Sequence, residues 1–298
     1  MTTRHNIDTC AVLVEFNASV WTARKLDKGT TEEVVHNKNA AAHDAVRVNK
    51  HLLAGRSELE KIISFVSMVR NWVNERTIPW ADSGIRMLPS ISYTTFNDQI
   101  NKYNDEFADM VNDFVVIYPS LITAQAMALG DMFNRDDYPS AESMAQKFAF
   151  RVSYMPVPTA GDFRVDVGNA AQEELRQQME KLSNERIEKA MGDVRSRLKT
   201  HLDRMMAQMQ EFAPNAKTTC ADGSPRAPKI SNSLIQGGIE LCDLLQSLNL
   251  TGDKDIEGAR MKLRNLLETV DIKDLKKFPD ARLDVREKVA DIMDKFNF

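Results

Sequence analysis

With 298 residues, 43% of them hydrophobic and 28% charged, the chain carries material for one large domain or two ordinary ones. A net charge of −4 and a pI near 5.8 exclude the overall basic character of most nucleic-acid binders, though not a local basic patch. Three scattered cysteines, Cys10, Cys220 and Cys242, form no C-x-x-C pair, which argues against a disulfide framework and for a reducing compartment.

The opening MTTRHNIDTC has no apolar core of a signal peptide. No run reaches the roughly 18–20 apolar residues of a membrane span. The expectation is a soluble, cytoplasmic protein without membrane contact.

Residues 11–24 alternate, with Val12, Val14, Phe16, Ala18 and Val20 on one face, and predict a long strand. Gly29 breaks the pattern, and Thr30 or Thr31 suits a helix start. Residues 31–76 read as mainly helix, with Leu59, Ile62, Ile63, Val66, Val69 and Val73 forming an apolar stripe. Residues 85–93 alternate around Pro89, which lacks a donor and predicts an edge strand or an extended segment. A helix follows to about Tyr118, burying Phe96, Ile100, Tyr103, Phe107, Met110, Val111, Phe114 and Val115. Pro119 is expected to start a separate helix to about Phe133.

The clearest hairpin is 147–168. Phe148, Phe150, Val152 and Tyr154 alternate with polar or small residues, and Phe163, Val165 and Val167 repeat the pattern after a Pro-rich connection. The longest helix is expected over about 170–212, with a stuttered apolar stripe. Its expected partner is 31–76, the only other segment of comparable length. Residues 213–229 hold three prolines and a glycine and read as a linker or exposed loop. Short helices are predicted at 231–248, 254–270, 272–277 and 280–297.

No phosphate-cradling G-x-x-x-x-G-K-[ST] or G-x-G-x-x-G occurs, so no cofactor is assigned. His36, His43 and Asp44 are the best metal grouping, but the histidines stand seven apart rather than four, and a solvated role fits them better. Asp98, Asp105, Asp109 and Asp113 share one helix face. They read as a solvated surface or as a docking face for a protein partner. Lys147, Arg151 and Arg164 on the hairpin, with Arg24 and Lys25 of the first strand, form the candidate nucleic-acid contact. Met205, Met206 and Met209 read as core or as an adaptable apolar contact.

Three stretches together resemble a known family. They are Asn17-x-Ser19-Val20-Trp21-x-Ala23-Arg24-Lys25-Leu26, the Phe/Tyr-rich acidic helix in 88–113, and Tyr138-Pro139-Ser140 with Phe148-x-Phe150-x-Val152, Pro156-Val157-Pro158 and Asp162-Phe163-Arg164-Val165. The family comes from phages and mobile elements and is catalogued as a domain of unknown function. Its members are often encoded beside MoxR-type AAA ATPases and von Willebrand A-domain proteins. The resemblance covers roughly residues 10–210. It implies a phage or mobile-element origin, hence the host cytoplasm, and it carries no catalytic residue.

The fold expected is α+β and predominantly helical. A small, mostly antiparallel sheet (11–24, 85–93, 148–157, 162–167) lies at the base of a long antiparallel helical hairpin, with C-terminal helices added. The division expected is a sheet-and-arm domain (1–212), the linker or loop (213–229) and a C-terminal helical subdomain (230–298). The function expected is a non-enzymatic interaction or assembly protein that self-associates, accessory to an ATPase and von Willebrand A system. Two alternatives stand beside it: a single-stranded nucleic-acid binder, and an enzyme with an unrecognised site.

Overall fold

The computed structural model describes residues 7–39, 42, 44–55, 57–158, 169–210 and 230–296. It is α+β and predominantly helical. The first half holds α1 (Ile7–Cys10), β1 (Ala11–Ser19), β2 (Arg24–Leu26), α2 (Lys28–Asn37), β3 (Asn49–His51), α3 (Glu58–Arg76), β4 (Ile78–Pro79), β5 (Arg86–Pro89) and α4 (Tyr93–Leu129). The second half holds α5 (Ala141–Met144), β6 (Ala149–Pro156), α6 (Asn169–Gln208), α7 (Asn232–Leu248), α8 (Lys254–Thr269), α9 (Ile272–Lys277) and α10 (Pro279–Lys295). A sheet runs in the order β4-β5-β1-β6, and β2 and β3 form a separate antiparallel ribbon.

The chain divides into two interleaved compact units. One holds Met1–Glu15, Asn74–Thr94 and Tyr154–Phe298; the other holds Phe16–Val73 and Thr95–Ser153. This differs from the division expected at 213–229, a segment outside the described residues. The reason is a shared core: Val194, Leu198, Leu202 and Met205 of α6 cluster with Cys242 and Leu245 of α7, Leu263 of α8 and Val289 of α10. The helices after 230 therefore fold with α6.

In this first unit the sheet is built on β5. Leu13 pairs with Met87 and Ala11 with Pro89, while Ile78 pairs with Met87 on the other side. The expected edge strand is thus paired on both sides at Arg86 and Met87. Pro89 is tolerated because β4 is only two residues long and begins opposite Met87, so no β4 residue faces Pro89. Two arginines close the C-terminal end of α3. Arg197 donates to the carbonyls of Asn74, Glu75 and Thr77, and Arg86 donates to those of Asn74 and Thr77. These carbonyls are the unpaired, electronegative end of the helix, where a cation is favourable.

In the second unit α3 packs on α4 through aromatic rings. Trp72 stacks on Phe96 at 5.0 Å, and Phe65 and Trp72 meet Tyr103 edge-on. The hairpin's first strand supplies Phe148 against Phe114, and Phe150 between Phe16 and Phe107. Its second strand, including Arg164, lies outside the described residues.

Three local expectations are corrected. The strand from residue 11 stops at Ser19, because Ala23 adopts φ 51° and turns the backbone into β2, where its carbonyl accepts from Leu52 N–H. Residues 31–76 are not one long helix: α2 ends at Asn37, and β3 pairs with β2 before α3 begins. The partner expected for the longest helix is therefore broken, and α6 finds its partners in α7, α10 and β4. Pro119 does not open a new helix but lies inside α4, which runs on for 37 residues. The proline is exposed, so the carbonyl of Val115, which it leaves without an N–H, is not forced into the core.

Candidate interaction sites

The feature of α4 that the sequence pattern did not single out is its uncharged second half. From Phe114 to Gly130, seventeen consecutive residues carry no charge. One side of this segment is committed to the second unit. Phe114, Tyr118, Leu121, Ile122 and Gln125 are buried. Tyr118 donates from its hydroxyl to the Pro139 carbonyl at 3.1 Å, and Gln125 Nε2 donates to the Ala54 carbonyl at 2.9 Å. Burial pushes the Tyr118 hydroxyl up to about 12.

The other side is exposed and apolar. Val116 is 79% and Met127 89% exposed, with Ser120 and Thr123 between them at helical spacing. Both hydroxyls turn back to their own helix, Ser120 to the Ile117 carbonyl and Thr123 to that of Pro119. The exposed stripe therefore offers no free charge and little polar demand.

This stripe continues the acidic one. At 100° per residue, Asp98, Asp105, Asp109, Val116, Ser120, Thr123 and Met127 lie within one narrow face of α4, with Asp113 at its margin. All four aspartates are exposed and have no ion-pair partner among the described residues. The acidic stripe is thus half of a longer exposed face, acidic toward the N-terminus and uncharged toward the C-terminus.

By length and composition, the helical stretch Ser90–Met132 would also suffice to cross a membrane, with 28% of its apolar window buried. This corrects the expectation that no run qualifies. The discrepancy arises because Pro119, Ser120, Thr123 and Gln125 interrupt the apolar count without adding charge.

The candidate nucleic-acid contacts are not gathered as expected. Lys147 and Arg151 are exposed and unpaired among the described residues. Lys25 is not available: its Nζ lies 2.8 Å from Asp137, which also pairs with the buried Lys50 at 2.6 Å. Burial alone would raise the Asp137 carboxyl, but hydrogen bonds from Lys25 and Lys50 reverse this and hold it below the usual range. Lys50 is completed by the Met132 carbonyl at 2.7 Å. The cluster ties the β2–β3 ribbon to the segment after α4.

Arg24 stands apart from this cluster. It lines a groove of about 310 Å³ together with Trp21, Thr22, Ser67 and Arg70.

The first unit holds the larger groove, about 660 Å³, between α6, α7 and the end of α3. His201 borders it but does not serve it. Its Nε2 is buried without a partner, and a Cβ on Gly238 would come within 2.5 Å of that atom. Burial, then the Arg204 charge, lower the His201 pKa, so this is a neutral packing histidine. The groove's charges are mixed, Arg204 against Glu75 and Glu240. The three methionines here are core material: Met205 and Met209 are fully buried, and Met206 packs against the same cluster.

Among the described residues no three His, Cys, Asp or Glu side chains converge on a metal-binding point. His43 of the weak metal grouping lies outside them, and His36 is exposed. No protein-family model, curated protein or solved structure matches the chain.

Proposed function

We propose that this protein works by association rather than catalysis, and that the exposed face of α4 is its self-association surface. The observation that supports this is the uncharged stripe with Val116 and Met127 almost fully exposed. An ordered helix does not hold such residues in water without cost, and contiguous exposed apolar surface marks contact sites.

The charge pattern favours a second copy of the chain in antiparallel register. Parallel pairing would set Asp98, Asp105, Asp109 and Asp113 against their own copies at the helix spacing of roughly 8–10 Å. Antiparallel crossing between Leu121 and Ile122 places Val116 opposite Met127 and Ser120 opposite Thr123. It separates Asp113 from its copy by about 25 Å along the axis. That exceeds the screening length of about 8 Å at physiological salt. The small side chains at the crossing allow close approach, and the acidic halves project outward, free for a basic third partner. The family resemblance directs the search for that partner to AAA ATPases and von Willebrand A-domain proteins.

A contact made by one helix face lies at the small end of interface sizes, so the dissociation constant expected is on the order of 1–10 μM. Sedimentation equilibrium tests it. A concentration-dependent dimer is expected, and Val116→Glu with Met127→Glu yields a monomer with unchanged circular dichroism. A monomer at every concentration, or a dimer that survives both substitutions, overturns the proposal. Flotation of the wild-type chain with anionic vesicles, lost in the same variant, would instead assign the face to lipid.

A further inference from the structure

We propose that the groove at Trp21, Arg24 and Arg70 binds the phosphate ester of a nucleotide. It belongs wholly to the second unit and is distinct from the α4 face. One wall is the chain from Ala18, at the end of β1, to Arg24, at the start of β2; the other is the α3 face of Ile63, Val66, Ser67 and Arg70, spaced for one side of a helix.

Three observations carry the proposal. First, both guanidinium groups line the same cavity, and neither has a carboxylate or carbonyl partner among the described residues. Arg197, which borders the larger groove, is by contrast spent on three carbonyls and Asp193. Second, no acidic side chain lines the groove, so the two positive charges meet no counter-charge there. On α3 the residues one turn from Arg70 are Val66, Ser67, Val73 and Asn74, none of them acidic. A phosphate monoester supplies both the charge and the acceptor oxygens that two guanidinium forks satisfy. Third, Trp21 presents an indole that is only half-buried. It is held by an edge contact to Tyr118 at 5.8 Å, and its remaining surface borders the cavity beside Thr22. A flat base against this indole, with its phosphate on the arginines, is how proteins hold nucleotides without a glycine loop. The volume of about 310 Å³ suits one nucleotide.

The same chemistry is offered by a free mononucleotide or by one nucleotide of a single strand, and titration separates the two. With the full-length protein at low salt, AMP is expected to give saturable heat and quenching of tryptophan fluorescence. Inorganic phosphate is expected to bind more weakly and adenosine not to bind measurably. Arg24→Ala and Arg70→Ala each weaken AMP by about ten-fold, as expected for loss of charge-assisted hydrogen bonds. Trp21→Phe removes the quenching, whereas Arg204→Ala, a solvated arginine in the other unit, changes nothing. An oligothymidylate that binds far more tightly than AMP, with steep salt dependence, identifies a strand as the source. Equal affinities identify the free nucleotide. No saturable signal with AMP, adenosine binding as tightly as AMP, quenching that persists in Trp21→Phe, or affinity unchanged when both arginines are removed each overturns the site.

Discussion

The two longest helices spend their surfaces in opposite ways. The 40-residue α6 buries a narrow stripe, including Ala190, Val194, Leu198, Leu202 and Met205, each with no exposed surface. Its outward faces are charged and largely self-paired: Arg176 with Glu173, Lys181 with Glu185, Arg197 with Asp193, Lys199 with Asp203. The 37-residue α4 is apolar on its inner side and, over its second half, on its outer side too. Its exposed acids have no such pairing among the described residues. A helix that neutralises its own surface is finished as a monomer. One that leaves an uncharged stripe and an unpaired acidic stripe on the same face keeps that face uncovered in the monomer, which is the basis for proposing a contact there.

The contrast breaks most visibly in the core. Leu202→Ala on α6 is expected to cost about 2–5 kcal/mol, since a fully buried leucine loses its transfer energy and leaves a cavity. Met127→Ala on α4 is expected to change monomer stability by less than about 0.5 kcal/mol. Chemical denaturation checks both. A large loss at Met127 would show that the outer face of α4 is used within the monomer and would remove the docking argument.

A smaller test lies where α6 meets α7. Gly237 and Gly238 are adjacent but unlike. A Cβ on Gly238 would sit 2.5 Å from His201 Nε2 and 2.6 Å from Leu267 Cδ1, whereas one on Gly237 meets nothing within 4 Å. Gly238→Ala is expected to destabilise by about 1–3 kcal/mol. Gly237→Ala is expected to stabilise by about 0.5–1 kcal/mol through helix propensity. Thermal melts with opposite shifts confirm the packing role of His201; shifts of the same sign refute it.

The pH dependence divides between the same regions. His201 has a folded pKa depressed by burial, so the neutral imidazole is the form the fold accepts. Its contribution is present above the unfolded value of 6.5 and is lost as pH falls below it. Tyr118 has a raised folded pKa of about 12, so its contribution is present below the unfolded value of 10.0 and is lost as pH rises from there toward 12. Denaturation midpoints across pH should therefore fall at both ends. A His201→Gln variant should flatten only the acid limb, and Tyr118→Phe only the alkaline one.

A modest effect is also expected at the α3 end. Either Arg86→Lys or Arg197→Lys keeps the charge but loses the fork that reaches two carbonyls, costing about 1 kcal/mol by denaturation. A null result at both positions would mean that the cation alone, not its geometry, closes the helix.

Much of the fold was legible in the chain itself. The C-terminal helices α7 to α10 lie within two residues of their predicted bounds, because apolar spacing and caps such as Asp253 and Asp271 are local signals. The buried face of α4 follows from the spacing of Phe96, Ile100, Phe107, Val111 and Phe114. Even the acidic stripe was visible as a single face. What local signals could not decide was anything set by a distant contact. Ala23 at positive φ is dictated by pairing with the β3 segment, and no residue preference announces it. Lys25, read as a free cation, is claimed by Asp137 more than a hundred residues away. Arg24, its neighbour, is left free and meets Arg70 across a groove that no spacing encodes. Periodicity records which side of a helix is apolar. Only the tertiary structure decides how much of that side is covered, and on α4 it leaves Val116 and Met127 in water because the core is already filled from the opposite face.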